Sequence, residues 1–118
     1  MNVSGIMISP VVVTQNNKVL SHVSDLIEKK INAIPVLSME AEIEGIITAS
    51  AIAQESDHTK AVSNVMTTKT YVLIKNSGVQ DPAKMMAKHN VHHLVVMDEG
   101  QVIGILSSMD FVKLIIKG

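Results

Sequence analysis

The chain has 118 residues, enough for one compact domain or two very small ones sharing a core. Hydrophobic residues make up 47% and charged residues 18%, the balance of a globular chain and not of a disordered one. A net charge of −1, 2% aromatic residues and no cysteine exclude an electrostatic footprint for nucleic acid or a membrane surface, a base-stacking platform, and disulfide, thiolate or cysteine–zinc chemistry.

In chain order, Val3 to Met7 reads as a helical turn and Pro10-Val11-Val12-Val13-Thr14 as a strand with proline at its edge. Asn16-Asn17 supplies turn chemistry. Val19, Leu20, Val23, Leu26 and Ile27 then recur at helical spacing, with Ser24, Asp25, Glu28 and Lys29 on the other face. Ala33 to Leu37 is a second strand, Glu40-Ala41-Glu42 a turn, Ile43 to Thr48 a third strand, and Ala49 to Gln54 a short helix. Glu55 to Lys60 is the one extended polar stretch and reads as a linker.

The pattern then starts again. Val62-Ser63-Asn64-Val65-Met66 echoes Val3-Ser4-Gly5-Ile6-Met7, and Tyr71 to Ile74 echoes the first strand. Val79 to Lys88 repeats the first helix, with Pro82 either in its first turn or behind a cap at Asp81. Val91 to Val96 repeats Ile31 to Val36, and Val102 to Ser107 repeats Ile43 to Thr48 across a Glu99-Gly100 hairpin turn. The expected organisation is a first copy over 1–54, a linker over 55–60 and a second copy over 61–118. Each copy reads β-α-β-β-α and is too small to bury a core well alone, so the two should pack about a pseudo-two-fold axis.

The richest chemistry falls at Gly104-Ile105-Leu106-Ser107-Ser108-Met109-Asp110, where a strand gives way to an apolar helix. A helix start offers unpaired N–H groups and a positive dipole end, which suit an anion; here a hydroxyl and a carboxylate flank it. The same Ser-x-x-Asp spacing is also a capping box, which satisfies only the helix's own donors. The first copy starts its helix with Thr48 and has Ala51 where the acid would stand, so Asp110 looks like the residue helix formation needs least. All ten basic residues are lysines, so no guanidinium clamp on phosphate is available.

Three features together resemble a CBS-domain pair, the Bateman module, over about residues 3 to 117. They are the Val65-Met66-Thr67 opening, the Ile34-Pro35-Val36 strand with its twin Leu94-Val95-Val96, and the glycine-to-acid close just described. The resemblance implies an α/β (α+β) fold of tandem repeats. It also implies a regulatory module that binds an adenosine compound (AMP, ADP, ATP or S-adenosylmethionine) in a cleft between the copies. Carried over by motif, Asp110 would hold the ribose hydroxyls and Ser107 with the helix start would face phosphate. Ile8, Ser9, Val11, Asn32, Ala33 and Ile34 would line the rest of that site. A second, degenerate site would involve Thr48, Tyr71, His92 and His93 but lacks the acid.

His89, His92 and His93 have the look of a metal cluster, yet one ends a helix and two start a strand, where neighbours face opposite ways; no metal is expected there. In nucleotide-binding members of the family the positions of His92 and His93 contact phosphate, and a histidine in place of the more usual arginine implies a weaker grip. The methionines read as core filler, with Met85-Met86 and Ile115-Ile116 as apolar faces for a homodimer. Catalysis is not expected: Asp110 is the only carboxylate placed at a plausible pocket, and no second acid or nucleophile–base pair joins it. The competing reading is a ligand-free structural or oligomerisation module. With no effector domain on this stretch, any signal would pass to a partner protein or a missing domain. The absence of cysteine, of a signal-peptide pattern and of an apolar run of about 20 residues predicts a cytoplasmic protein without membrane contact.

Overall fold

The computed structural model describes residues 14–24, 32–75 and 82–117. Two compact units emerge, one holding the described residues up to Thr70 and one those from Tyr71 onward. Each contains a three-stranded sheet.

In the first unit β1 (Thr14–Gln15) leads through α1 (Leu20–Ser24) to β2 (Ala33–Leu37), and β3 (Ile43–Thr48) leads into α2 (Ala49–Gln54). β1 runs parallel to β2, as a helical crossover requires, and β2 runs antiparallel to β3. β2 is buried along nearly its whole length, which explains its unbroken apolar sequence. Leu20, Val23, Ile34, Val36, Ile47 and Ile52 form the core. The second unit repeats the plan with β4 (Val72–Ile74), α3 (Pro82–His89), β5 (His93–Asp98), β6 (Gln101–Ser107) and α4 (Ser108–Lys117). Its core is Leu73, Met86, Leu94, Val96 and Leu106. The β-α-β-β-α reading of each copy is thus correct, in two mixed sheets.

The copies align through the sheet register. Gly45 lies opposite Val36 and Gly104 opposite Val96, each beside a register shift. The β5–β6 hairpin closes on Glu99 and Gly100, both at positive φ (49° and 78°), the turn whose twist suits a two-residue loop. Pro82 is the first residue of α3, where its missing N–H costs nothing. β5 begins at His93, where the repeat of Ala33 puts it, and His92, expected to enter the strand with it, stays outside. Asn90 is left-handed (φ 53°) and the Val91 N–H turns back to the Met86 carbonyl, so Val91 and His92 finish the helix exit before the strand starts.

The opening of the second copy packs on the first copy's sheet. A single 3-10 turn, Val62–Asn64, buries Val62 fully in the first core, and Val65 and Met66 pack against it. Thr67 and Ile46 then exchange backbone hydrogen bonds of 2.9 and 3.0 Å. This crossing explains the glycine of β3: a Cβ on Gly45 would stand 2.5 Å from the Thr67 carbonyl oxygen and 2.9 Å from the Met66 sulfur. The polar stretch before it is locally tied, with a Glu55–Lys60 ion pair at 3.1 Å and Asp57 accepting from the Thr59 amide at 3.0 Å.

Met85-Met86 does not offer a dimer face as expected. Met86 is buried in its own core and Met85 packs against it, because the sheet-facing side of α3 takes both. The expected Val3–Met7 turn, Pro10 to Val13, Asp25 to Ile31 and Val79 to Asp81 lie outside the described residues. So do three of the expected ligand-site residues, Ile8, Ser9 and Val11.

Candidate functional site

The two helix starts are built alike and finished differently. In both copies the central strand brings its first residue opposite the last residue of the following strand: Ala33 pairs with Thr48, and His93 with Ser107. In both, the first amide of the helix is satisfied from that strand's approach. The Ala49 N–H donates to the Asn32 carbonyl at 2.8 Å, and the Ser108 N–H to the His92 carbonyl at 2.9 Å.

At α2, the Thr48 hydroxyl accepts a hydrogen bond from the Ala51 amide at 3.1 Å, an ordinary N-cap. At α4 the roles are reversed. The Ser107 N–H donates to Asp110 Oδ2 at 2.7 Å, and the Ser107 hydroxyl turns to the same oxygen at 3.3 Å. Each copy therefore uses one half of a capping box: hydroxyl to amide in the first, carboxylate to amide in the second. This corrects the expectation that Asp110 is the residue helix formation needs least. The carboxylate caps α4 by accepting from the Ser107 amide, with the Ser107 hydroxyl turned to the same oxygen.

Two residues expected at the competent site, Ser107 and Asp110, and two expected at the degenerate one with Thr48, His92 and His93, come together in one unit, because the β5–β6 ladder pairs His93 with Ser107 and leaves Thr48 opposite Ala33. Ser107 and Asp110 are joined by hydrogen bonds, His93 stands across the ladder from Ser107, and His92 precedes it. Directly opposed residues of an antiparallel pair project from the same face, with Cβ atoms about 5 Å apart, so His93 faces the Ser107–Asp110 pair. His93 and Asp110 are half-buried and His92 is exposed. Burial, and then the neighbouring His92, hold the His93 imidazole below its ordinary value of 6.5, with Asp110 opposing the shift. In the first unit Thr48 stands beside Asn32, Ala33 and Ile34. Where the second copy has His93, Ser107 and Asp110, the first has Ala33, Thr48 and Ala51. Tyr71 is stacked on His89, ring centroids 3.9 Å apart. That His93 belongs beside Ser107 is readable only from the strand register, through the two-residue turn and one bulge, and not from residue spacing.

The repeated β-α-β-β-α unit with this helix start defines a CBS-type module. The CBS domain pattern matches the chain twice, over residues 3–58 and 62–117, and the chain belongs to that family. It is similar to the CBS domain pair of protein MJ0100, solved in complex with 5′-methylthioadenosine and S-adenosyl-L-methionine. The TM-score is 0.83 at 26% identity, covering 99% of this chain and 97% of that one. Among curated relatives it is 28% identical to an inosine-5′-monophosphate dehydrogenase of Aquifex aeolicus, covering 93% of this chain but 23% of that protein. It is 27% identical to uncharacterized protein MJ1426 of Methanocaldococcus jannaschii, covering 98% of this chain and 92% of the relative. The chain thus spans about a quarter of the dehydrogenase and 38% of another relative, uncharacterized protein MJ1225 of the same archaeon. Among the described residues, no helix is long and apolar enough to cross a membrane.

Proposed function

We propose that the chain is a non-catalytic regulatory module that binds an adenosine compound at the start of α4. The candidates are AMP, ADP, ATP and an S-adenosylmethionine-like ligand. The carrying observation is the Ser107–Asp110 pair, a carboxylate at a helix start where the first copy has Thr48 and Ala51. Both hydrogen bonds from Ser107 to the carboxylate fall on Oδ2, so a ribose diol can address Oδ1 and then compete for Oδ2. The adenosine ligands of the MJ0100 pair support the ligand class. The binding energy would act as a population shift, read by a second copy, by an effector protein or by a further domain.

A thermal-shift panel of AMP, ADP, ATP, S-adenosylmethionine and NAD tests this. A ligand at about a hundredfold excess over its Kd adds about 2.7 kcal/mol to the folded state. The expected result is a rise in Tm with at least one of them, lost in Asp110→Ala. No rise with any ligand would defeat the reading.

A second reading, self-association, rests on α4. Met109, Val112 and Ile116 are exposed, Ile116 at 79%, and recur at three- and four-residue spacing as one apolar stripe. A homodimer would cover it; Val112→Lys should then halve the mass seen by sedimentation, and an unchanged mass would argue against this face.

A further inference from the structure

The difference between the two helix starts is threefold, and one part of it has no role in capping. His93, in place of Ala33, puts a titratable ring on the same sheet face as the Ser107–Asp110 pair. Its charged or titratable neighbours are His92, just before it, and Asp110 on α4. On α3, which also packs on β5, His89 is engaged with Tyr71. In the free protein the half-buried ring is biased toward its neutral form, by burial first and by His92 second. A phosphoryl group arriving at the amides of α4 would bring negative charge in front of that ring and reverse the bias.

We propose that ligand capture at α4 is proton-linked through His93. An adenosine phosphate binds with uptake of one proton from the buffer, which forms the second N–H of the His93 imidazole, whereas an uncharged adenosine compound binds without it. The inference rests on the adenosine site proposed above and adds its regulation: the module senses phosphate charge and pH together. Because His93 and Asp110 sit on one face, the same proton balances the carboxylate as the anion enters.

The test is the affinity of the whole chain for AMP and for adenosine between pH 8 and pH 6, by calorimetry. The wild type is compared with His93→Ala and with the polar, non-titrating His93→Gln. The wild type should gain AMP affinity as pH falls, by up to about tenfold per unit more than either variant. The second ionisation of AMP itself, near pH 6, is common to all three proteins and cancels in the comparison. Adenosine affinity should be level with pH in all three. If adenosine binds but the AMP profiles of wild type and variants run parallel, the proton linkage is wrong and the site stands. If neither compound binds, the site reading fails and the linkage with it.

Discussion

The starts of α2 and α4 are the same piece of chain solved twice. Both end a buried strand, both take their first amide's bond from the neighbouring strand, and both need a cap. At α2 a threonine hydroxyl does it alone. At α4 the work passes to an aspartate, and the serine hydroxyl is redirected from backbone amide to carboxylate. The gain is a carboxylate held in place at a positive helix end, with a histidine on the same sheet face. The lesson is that a cap and a ligand site are not alternatives here, because the geometry that stabilises α4 also presents the acid.

The comparison is broken most severely at Gly45, the shared glycine of the closing motif. Gly45→Ala puts a methyl 2.5 Å from the Thr67 backbone oxygen. The backbone crossing of Thr67 over β3 should part, at a cost of about 1–3 kcal/mol. Denaturant unfolding would show it as a lowered midpoint, and an unchanged midpoint would mean that the crossing yields freely.

The paired cap deletions come next. Asp110→Ala and Thr48→Ala should each cost about 1 kcal/mol of stability, since each removes one cap. Only the first should also abolish the ligand-induced rise in Tm. If both variants lose the ligand response equally, the helix starts are equivalent and the distinction drawn here is lost.

The smallest effect concerns pH. The His93 pKa is lowered in the folded state, so the unfolded chain binds more protons there, and this contribution to stability is present above 6.5 and lost as pH falls below it. His93→Gln should flatten the decline in Tm that begins at 6.5. An identical decline in the variant would place its cause elsewhere.

Much of this fold is legible in the chain because it is written twice. β2, β3 and α2 fall where the pattern puts them: Pro35 and the alternation into Gly45 fix the strands, and Thr48 fixes the helix start. What repeats cannot say is which copy a segment packs on. Val62 and Met66 look like the opening of the second copy, yet the first core holds them, since an apolar turn is satisfied by whichever sheet it reaches. The start of β5 is legible from the repeat, since His93 stands where Ala33 starts β2 while Val91 and His92 still close α3. At α4 the Ser107–Asp110 spacing reads equally as a cap, and it is the first copy's Ala51 and the family resemblance that point to a ligand. That the acid is also the cap, and that His93 faces it, follows from which oxygen bonds to which amide and from the ladder register.

The central claim, one competent helix start in two, is tested most directly by counting. Calorimetric titration with the adenosine compound that gives the largest thermal shift should show one site per wild-type chain, none in Asp110→Ala, and unchanged binding in Thr48→Ala. Two equal sites in the wild type, or full binding in Asp110→Ala, would contradict it.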